Sequence, residues 1–261
     1  MIAVTGAAGK TGRAVLDALD AAGLPARPVV RRPSGLPGEV VADLLDPAGV
    51  RVALRGCEAV YHMAPNVHPE EERIGRTVIA AAVETGARLV FHSVLHPQLE
   101  AMPHHWAKLR VEEALIESPL TWTIVQPAPY LQNLLPRDGE LCVPYRLDAP
   151  FSLVHLDDVA EVAARLLADP GLAFGCYELA GPATVTVLDV ARALGVPARR
   201  TDVEEWRQHA AAAGLGGYAV DALAAMFAHY DRHGLVGSPR VLSGLLGRAP
   251  RGLSDHVAGL S

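Results

Sequence analysis

The feature that most constrains this chain lies at its start. Ile2-Ala3-Val4-Thr5 is a short run suited to a buried strand, and it flows directly into Thr5-Gly6-Ala7-Ala8-Gly9-Lys10-Thr11-Gly12. From Thr11 to Ala22, Ala14, Val15, Ala18, Leu19 and Ala22 recur at helical spacing, and Gly23 closes the run. Strand, glycine turn and helix in this order open a parallel βαβ unit. Gly6 permits a tight turn, Gly9 lets backbone amides approach an anion without an intervening Cβ, and Gly12 lets the helix pack on the strand. The helix N-terminus then offers free N–H groups and partial positive charge to a pyrophosphate. Gly9-Lys10-Thr11 resembles the tail of an ATPase phosphate loop, but that motif requires glycine where Val4 stands.

The alternation continues. Strands are expected at 28–31, 39–42, 58–63, 88–93 and 121–126, and helices at 47–54, 71–84 and 104–118. Strands separated by crossover helices predict a doubly wound parallel α/β sheet, Rossmann-like. Beyond Pro127 prolines and glycines cluster; a helix near 158–168, a strand at 177–179 and helices near 186–194, 203–213, 218–233 and 239–247 follow. Residues 1–150 are read as a dinucleotide-binding domain, with 151–185 returning to it in part. Residues 186–261 are read as a smaller, mostly helical lobe over the sheet's carboxyl edge.

Composition excludes several classes. With 261 residues, half of them hydrophobic and 20% charged, the chain can build a core and is not disordered. A formal net charge of −6 gives no general attraction to nucleic acid or anionic membranes. No apolar run reaches the roughly 18 residues of a membrane span, and with the glycine motif this early no signal peptide is expected. A cytoplasmic location is expected, with a homodimer as a candidate assembly. Cys57, Cys142 and Cys176 lack any CxxC spacing, so neither a disulfide framework nor a zinc knuckle is expected.

The second strand indicates the cofactor. An NAD site usually carries an acid there for the ribose 2′-hydroxyl. Here Arg31-Arg32 follow, with no acid before Glu39. A guanidinium pairs with a 2′-phosphate, which favours NADP(H) over NAD(H) unless these arginines are merely surface residues. Asp43 is placed to meet the adenine or to serve a turn, and Met63-Ala64-Pro65 to lie against the cofactor's middle. Lys10, in the phosphate loop, and Lys108 are the only lysines among 23 basic residues. Ala8, Thr11, Pro127 and Tyr130 complete the cofactor-binding candidates.

Ligands of open parallel sheets sit outside the strands' carboxyl ends, so chemistry is expected after Ser93. His104 and Lys108, four apart, share a helical face. These stretches resemble the short-chain dehydrogenase/reductase superfamily, which carries a serine after this strand and Tyr-x-x-x-Lys on the next helix. The chain is similar in particular to NmrA-like, atypical members. Arg31-Arg32, His92 to Gln98, His104 to Glu113, Gln126 to Asn133, Asp157 to Ala160 and Leu246 to Pro250 extend the likeness. The resemblance implies that Lys108 holds the nicotinamide ribose and that Ser93 orients a carbonyl. It also places His104 where the superfamily has its proton-donating tyrosine. Ser93, His104 and Lys108 are therefore the catalytic candidates, with His104 either an imidazolium acid or a residue that orients ligand.

No Asp, Glu or Cys completes a usual coordination set around His92, His96, His104 and His105, so no metal is expected. Ser93 lacks the G-x-S-x-G elbow of a hydrolase. Trp206, Tyr218, Met226, Phe227 and Tyr230 are candidates for a substrate-pocket wall, or for ordinary core at helical spacing. The expected activity is NADPH-dependent hydride transfer to a small or medium-sized carbonyl, quinone or activated alkene. The missing tyrosine tilts it toward conjugated acceptors. The alternative is a redox-sensing regulator that binds NADP(H) without turnover.

Overall fold

The structure is a computed structural model in which residues 1–260 are described. Seven parallel strands form one sheet in the order β3-β2-β1-β4-β5-β6-β8. They are β1 (Ile2–Thr5), β2 (Ala26–Val30), β3 (Val40–Val41), β4 (Ala59–His62), β5 (Arg88–His92), β6 (Trp122–Pro127) and β8 (Cys176–Leu179). The direction of winding reverses between β1 and β4, both of which pair in parallel from Ile2 onward. At such a reversal the loops leaving neighbouring strands part and open a crevice.

Helices cover both faces. On one side lie α1 (Lys10–Ala21) and α5 (Leu156–Ala168), packed against each other and against a core that includes Val4, Val15, Leu19, Tyr61, Val90 and Val125. On the other lie α2 (Pro47–Leu54), α3 (Glu71–Thr85) and α4 (Pro103–Ile116), over a second core with Val60, Val78, Leu89, Phe91, Val111 and Ile124. Strands buried on both faces read as continuous apolar runs, which is why they stand out in the sequence.

After β6 the chain adds a second, two-stranded parallel sheet that the sequence reading lacks, β7 (Leu141–Val143) with β9 (Ala198–Arg200). It then builds α6 (Val187–Leu194), α7 (Val203–Ala212), α8 (Gly217–His233), α9 (Arg240–Leu246) and α10 (Leu253–Ala258). The Asp157-Asp158 and Leu246-to-Pro250 stretches meet: Asp158, fully buried on α5, holds Arg248 at 2.8 Å and also binds Arg251. No helix among the described residues is long and apolar enough to cross a membrane.

Candidate active site

One cavity of about 830 Å³ runs along the carboxyl edge of the sheet. The loops after all six of β1 to β6 contribute to its wall, as do Leu223, Met226 and Tyr230 of α8 and Leu235 beyond it. Of the cofactor-binding candidates, Gly6, Ala8, Gly9, Lys10, Thr11, Gly12, Arg31, Asp43, Met63, Ala64, Pro65, Ser93, Lys108, Pro127 and Tyr130 all line it. Arg32 alone does not, and is exposed. His104 lines it too, so the three catalytic candidates face one space.

The glycine turn fits a pyrophosphate on its geometry. Gly6 has φ of +63°, a left-handed conformation that suits glycine. A Cβ on Gly12 would stand 2.4 Å from the Gly6 carbonyl oxygen and 2.7 Å from Ala7 Cα, so only glycine lets α1 begin this close to the turn. A Cβ on Gly9 would meet only the Gly6 oxygen, at 3.3 Å, with the cavity beyond. α1 has no side-chain cap, as α3, α4, α8 and α9 have none, but it is α1 whose first residues Lys10, Thr11 and Gly12 line the cavity beside the glycine turn. Its first-turn amides, free of a side-chain cap, can bind an anion there. Lys10 leans over the Tyr130 ring and donates to Asn133 Oδ1 at 2.6 Å.

At the end of β2 Arg31 faces the cavity while the nearest acid is occupied. Glu39 accepts from Ser34 N and Oγ, Gly35 N and Leu36 N, and these hydrogen bonds lower its pKa. It organises the loop and is not itself free for a ribose. Asp43 accepts from Leu45 N at 2.9 Å, an Asx turn, and still lines the cavity.

The third region lies beyond β4 and β5, on the α3–α4 side. Lys108 Nζ is 2.7 Å from Glu71 Oε1, and the two side chains are 13% and 3% exposed. Glu112, one turn further along α4, is buried and accepts from Gln126 Nε2 at 2.9 Å on both oxygens. Burial raises its pKa, while Ser93, Gln126 and Lys108 favour its charge. The Ser93 hydroxyl lies near Glu112 but makes no well-formed hydrogen bond. His104 Nδ1 and His62 Nε2 are also buried without partners. Ser93 and His104 line the cavity, and buried polar atoms left open beside a cavity are sites for a ligand or water.

Of the two roles that the sequence allows His104, its buried surroundings favour ligand orientation. Burial, reinforced by the Lys108 charge, lowers its pKa to about 4, so the ring is neutral at pH 7. His62, His92 and His105 are lowered to about 3, burial being the largest cause in each. On the opposite face of the sheet His92 bridges two tyrosines, with Nδ1 2.6 Å from Tyr61 Oη and Nε2 3.0 Å from Tyr130 Oη.

Sequence reasoning missed Glu71, Glu112, Tyr61 and Gln126. Only Glu112 left a signal: His104, Lys108 and Glu112 recur every four residues, a polar stripe on one helical face. The aromatic candidates divide. Met226 and Tyr230 face the cavity, whereas Phe227 packs edge-on against Trp206 at 4.7 Å and beside Tyr145 in the core. Tyr218 lies close enough to feel the Glu71 charge.

A family model described as NAD(P)H-binding matches residues 6–170. Over 215 residues the chain is 33% identical to a (4-alkanoyl-5-oxo-2,5-dihydrofuran-3-yl)methyl phosphate reductase of Streptomyces griseus, with 76% of each chain covered. Over 275 residues it is 28% identical to an NAD(P)H azoreductase of Xenophilus azovorans, covering 96% of this chain and 92% of that one. An NADPH-dependent quinone oxidoreductase of Escherichia coli, solved in complex with NADPH, superposes with a TM-score of 0.84 at 25% identity. That match covers 100% of this chain and 99% of the other.

Proposed function

The chain belongs to the NAD(P)H-binding family, and from that membership we propose that it is an NADPH-dependent reductase of small or medium-sized quinones, conjugated carbonyls or activated alkenes. The observation that carries this reading is the single cavity, which reaches both the uncapped amides of α1 and the Ser93, His104 and Lys108 side chains. Relatives named as reductases of a butenolide phosphate and of azo compounds, and a structural neighbour named for quinones, support it.

In this reading the amides after Gly9 hold the pyrophosphate, with Lys10 and Thr11 beside it. Arg31 takes the 2′-phosphate and Asp43 faces the adenine. With Glu39 engaged in its own loop, a guanidinium meets that end of the site, which favours NADP(H) over NAD(H). Met63, Ala64 and Pro65 line the middle, and Ser93, Lys108, Pro127 and Tyr130 serve the nicotinamide end. When bound, the cofactor supplies the hydride. The Lys108 ammonium stabilises negative charge developing on the acceptor's oxygen, and Ser93 orients that oxygen by hydrogen bonding. Leu223, Met226, Tyr230 and Leu235 exclude water from an apolar acceptor.

Because His104 is neutral, it orients ligand through its ring nitrogens and is no strong acid. A conjugated acceptor spreads the incoming charge and tolerates later protonation by solvent, so the absence of an imidazolium selects for such acceptors. A cytoplasmic site of action and a homodimer belong to the same reading; light scattering of the purified protein checks the second.

The test follows NADPH absorbance with a panel of quinones, enones, aldehydes and azo compounds. Turnover that collapses in Lys108→Ala supports the reductase. Tight NADPH binding without consumption across the panel would instead support the redox-sensing regulator.

A further inference from the structure

A lysine that serves a nicotinamide ribose needs its ammonium held in one place, and here the chain supplies a dedicated partner. Glu71 opens α3, and its carboxylate takes Lys108 Nζ at 2.7 Å with both groups nearly closed to solvent. The approach of the two helices makes this contact. One turn along α3, Gly75 abuts Val111 of α4, where a Cβ would stand 2.5 Å from Val111 Cγ1. Any larger residue at 75 would push the helices apart and draw Glu71 away from Lys108.

Stability alone gives a poor reason for such a pair. A buried ion pair pays for desolvation about as much as it gains from attraction, and well-packed apolar residues would serve the fold as well. Its placement matters more. Lys108 contributes to the downward shifts of His62 and His104 and favours the charge on Glu112, so its ammonium sets the field in this part of the cavity. It also lies 5.7 Å over the Phe91 ring. Tyr218 of α8 lies near enough to Glu71 for the carboxylate charge to raise its pKa, after burial.

We propose that Glu71 is a positioning residue for the reductase, holding the Lys108 ammonium at the α3–α4 contact so that it meets cofactor and acceptor in one fixed place. The proposal rests on reading the cavity as a reductase site. Glu71 touches neither ligand and acts through Lys108.

A double-mutant cycle tests this with the full-length protein: Glu71→Gln, Lys108→Met and the double variant. kcat, KM, the NADPH Kd and the melting temperature are measured for each. Glu71→Gln is expected to lower kcat about tenfold with little change in acceptor KM, and the double variant to be no slower than Lys108→Met. Glu71→Asp, which keeps the charge on a shorter arm, is expected to recover part of kcat. Multiplying losses in the double variant, or a Glu71→Gln protein with wild-type kcat and only a lowered melting temperature, would overturn the proposal. If Glu71→Gln does not fold, Glu71→Asp against wild type and the double variant against Lys108→Met give the same comparison. If the wild type binds NADPH but reduces no acceptor, the reductase reading fails separately. The cycle is then read in the NADPH Kd, where a Glu71→Gln effect that persists without Lys108 refutes positioning.

Discussion

Two glycines in one turn should fail in opposite ways. In Gly12→Ala the new Cβ would lie 2.4 Å from the Gly6 carbonyl oxygen, a full ångström short of the 3.4 Å at which ordinary contact begins, and 2.7 and 2.9 Å from Ala7 backbone atoms. No flexible side chain can yield there, so turn and helix must separate. Overpacking of this kind costs roughly 1–3 kcal/mol, and replacing a helical glycine returns about 1 kcal/mol. A net loss of up to about 2 kcal/mol lowers the melting temperature by up to about 8 °C in a chain of this size. Gly9→Ala meets only one oxygen at 3.3 Å, and its φ of −76° and ψ of 168° suit alanine, so its melting temperature should match the wild type. Its methyl would project into the space where the pyrophosphate approaches. Lengthened hydrogen bonds to a charged phosphate cost roughly 1.5–3 kcal/mol, or about ten- to a hundredfold in Kd. Thermal melts and calorimetric titration with NADPH separate the two effects. A Gly9→Ala protein that binds NADPH as tightly as the wild type would show that the α1 amides do not hold the phosphates.

Two further outcomes follow from the charges. Arg31→Ala should weaken NADPH about tenfold or more and leave NADH nearly unchanged, while Arg32→Ala changes neither, because only Arg31 lines the cavity; paired titrations with both cofactors check this. Acid should destabilise the fold through its buried rings. His104 titrates at about 4 and His62, His92 and His105 at about 3 when folded, against an ordinary value near 6.5 when unfolded. The unfolded chain therefore binds more protons below about pH 6.5, and stability present above that pH is lost as the pH falls toward 4. Melting temperatures should drop steadily from pH 7 to pH 5, and histidine ring NMR should show these four rings untitrated above pH 5. A ring at His104 that titrates near 6.5 would restore the imidazolium acid.

What the sequence made legible and what it hid divide along a physical line. The inner strands β1, β4, β5 and β6 and their crossover helices read through because burial on both faces turns a strand into an apolar run, and because Gly86 and Gly195 end α3 and α6 in the left-handed conformation that glycine favours. The strand β7 did not, since it is three residues in a proline- and glycine-rich stretch whose partner lies 57 residues away, and no local pattern encodes that pairing. The phosphate turn was legible because its chemistry is carried by backbone, and glycine spacing is a backbone statement. The reacting end was only half legible because its chemistry is carried by side chains meeting across helices. His104 and Lys108 share a face by spacing alone, but the charge of His104 depends on burial and on Lys108. Lys108 in turn depends on Glu71, 37 residues earlier, brought near where Gly75 lets α3 close on α4. Helical spacing likewise could not tell Met226 from Phe227: neighbours in sequence, they point roughly 100° apart, one to the cavity and one to Trp206. Position 104, where the superfamily pattern expects tyrosine, carries an imidazole whose pKa is lowered by burial and by Lys108, whose own ammonium pairs with Glu71. Under the proposed reductase reading, that set suits an acceptor able to carry its own charge until water protonates it.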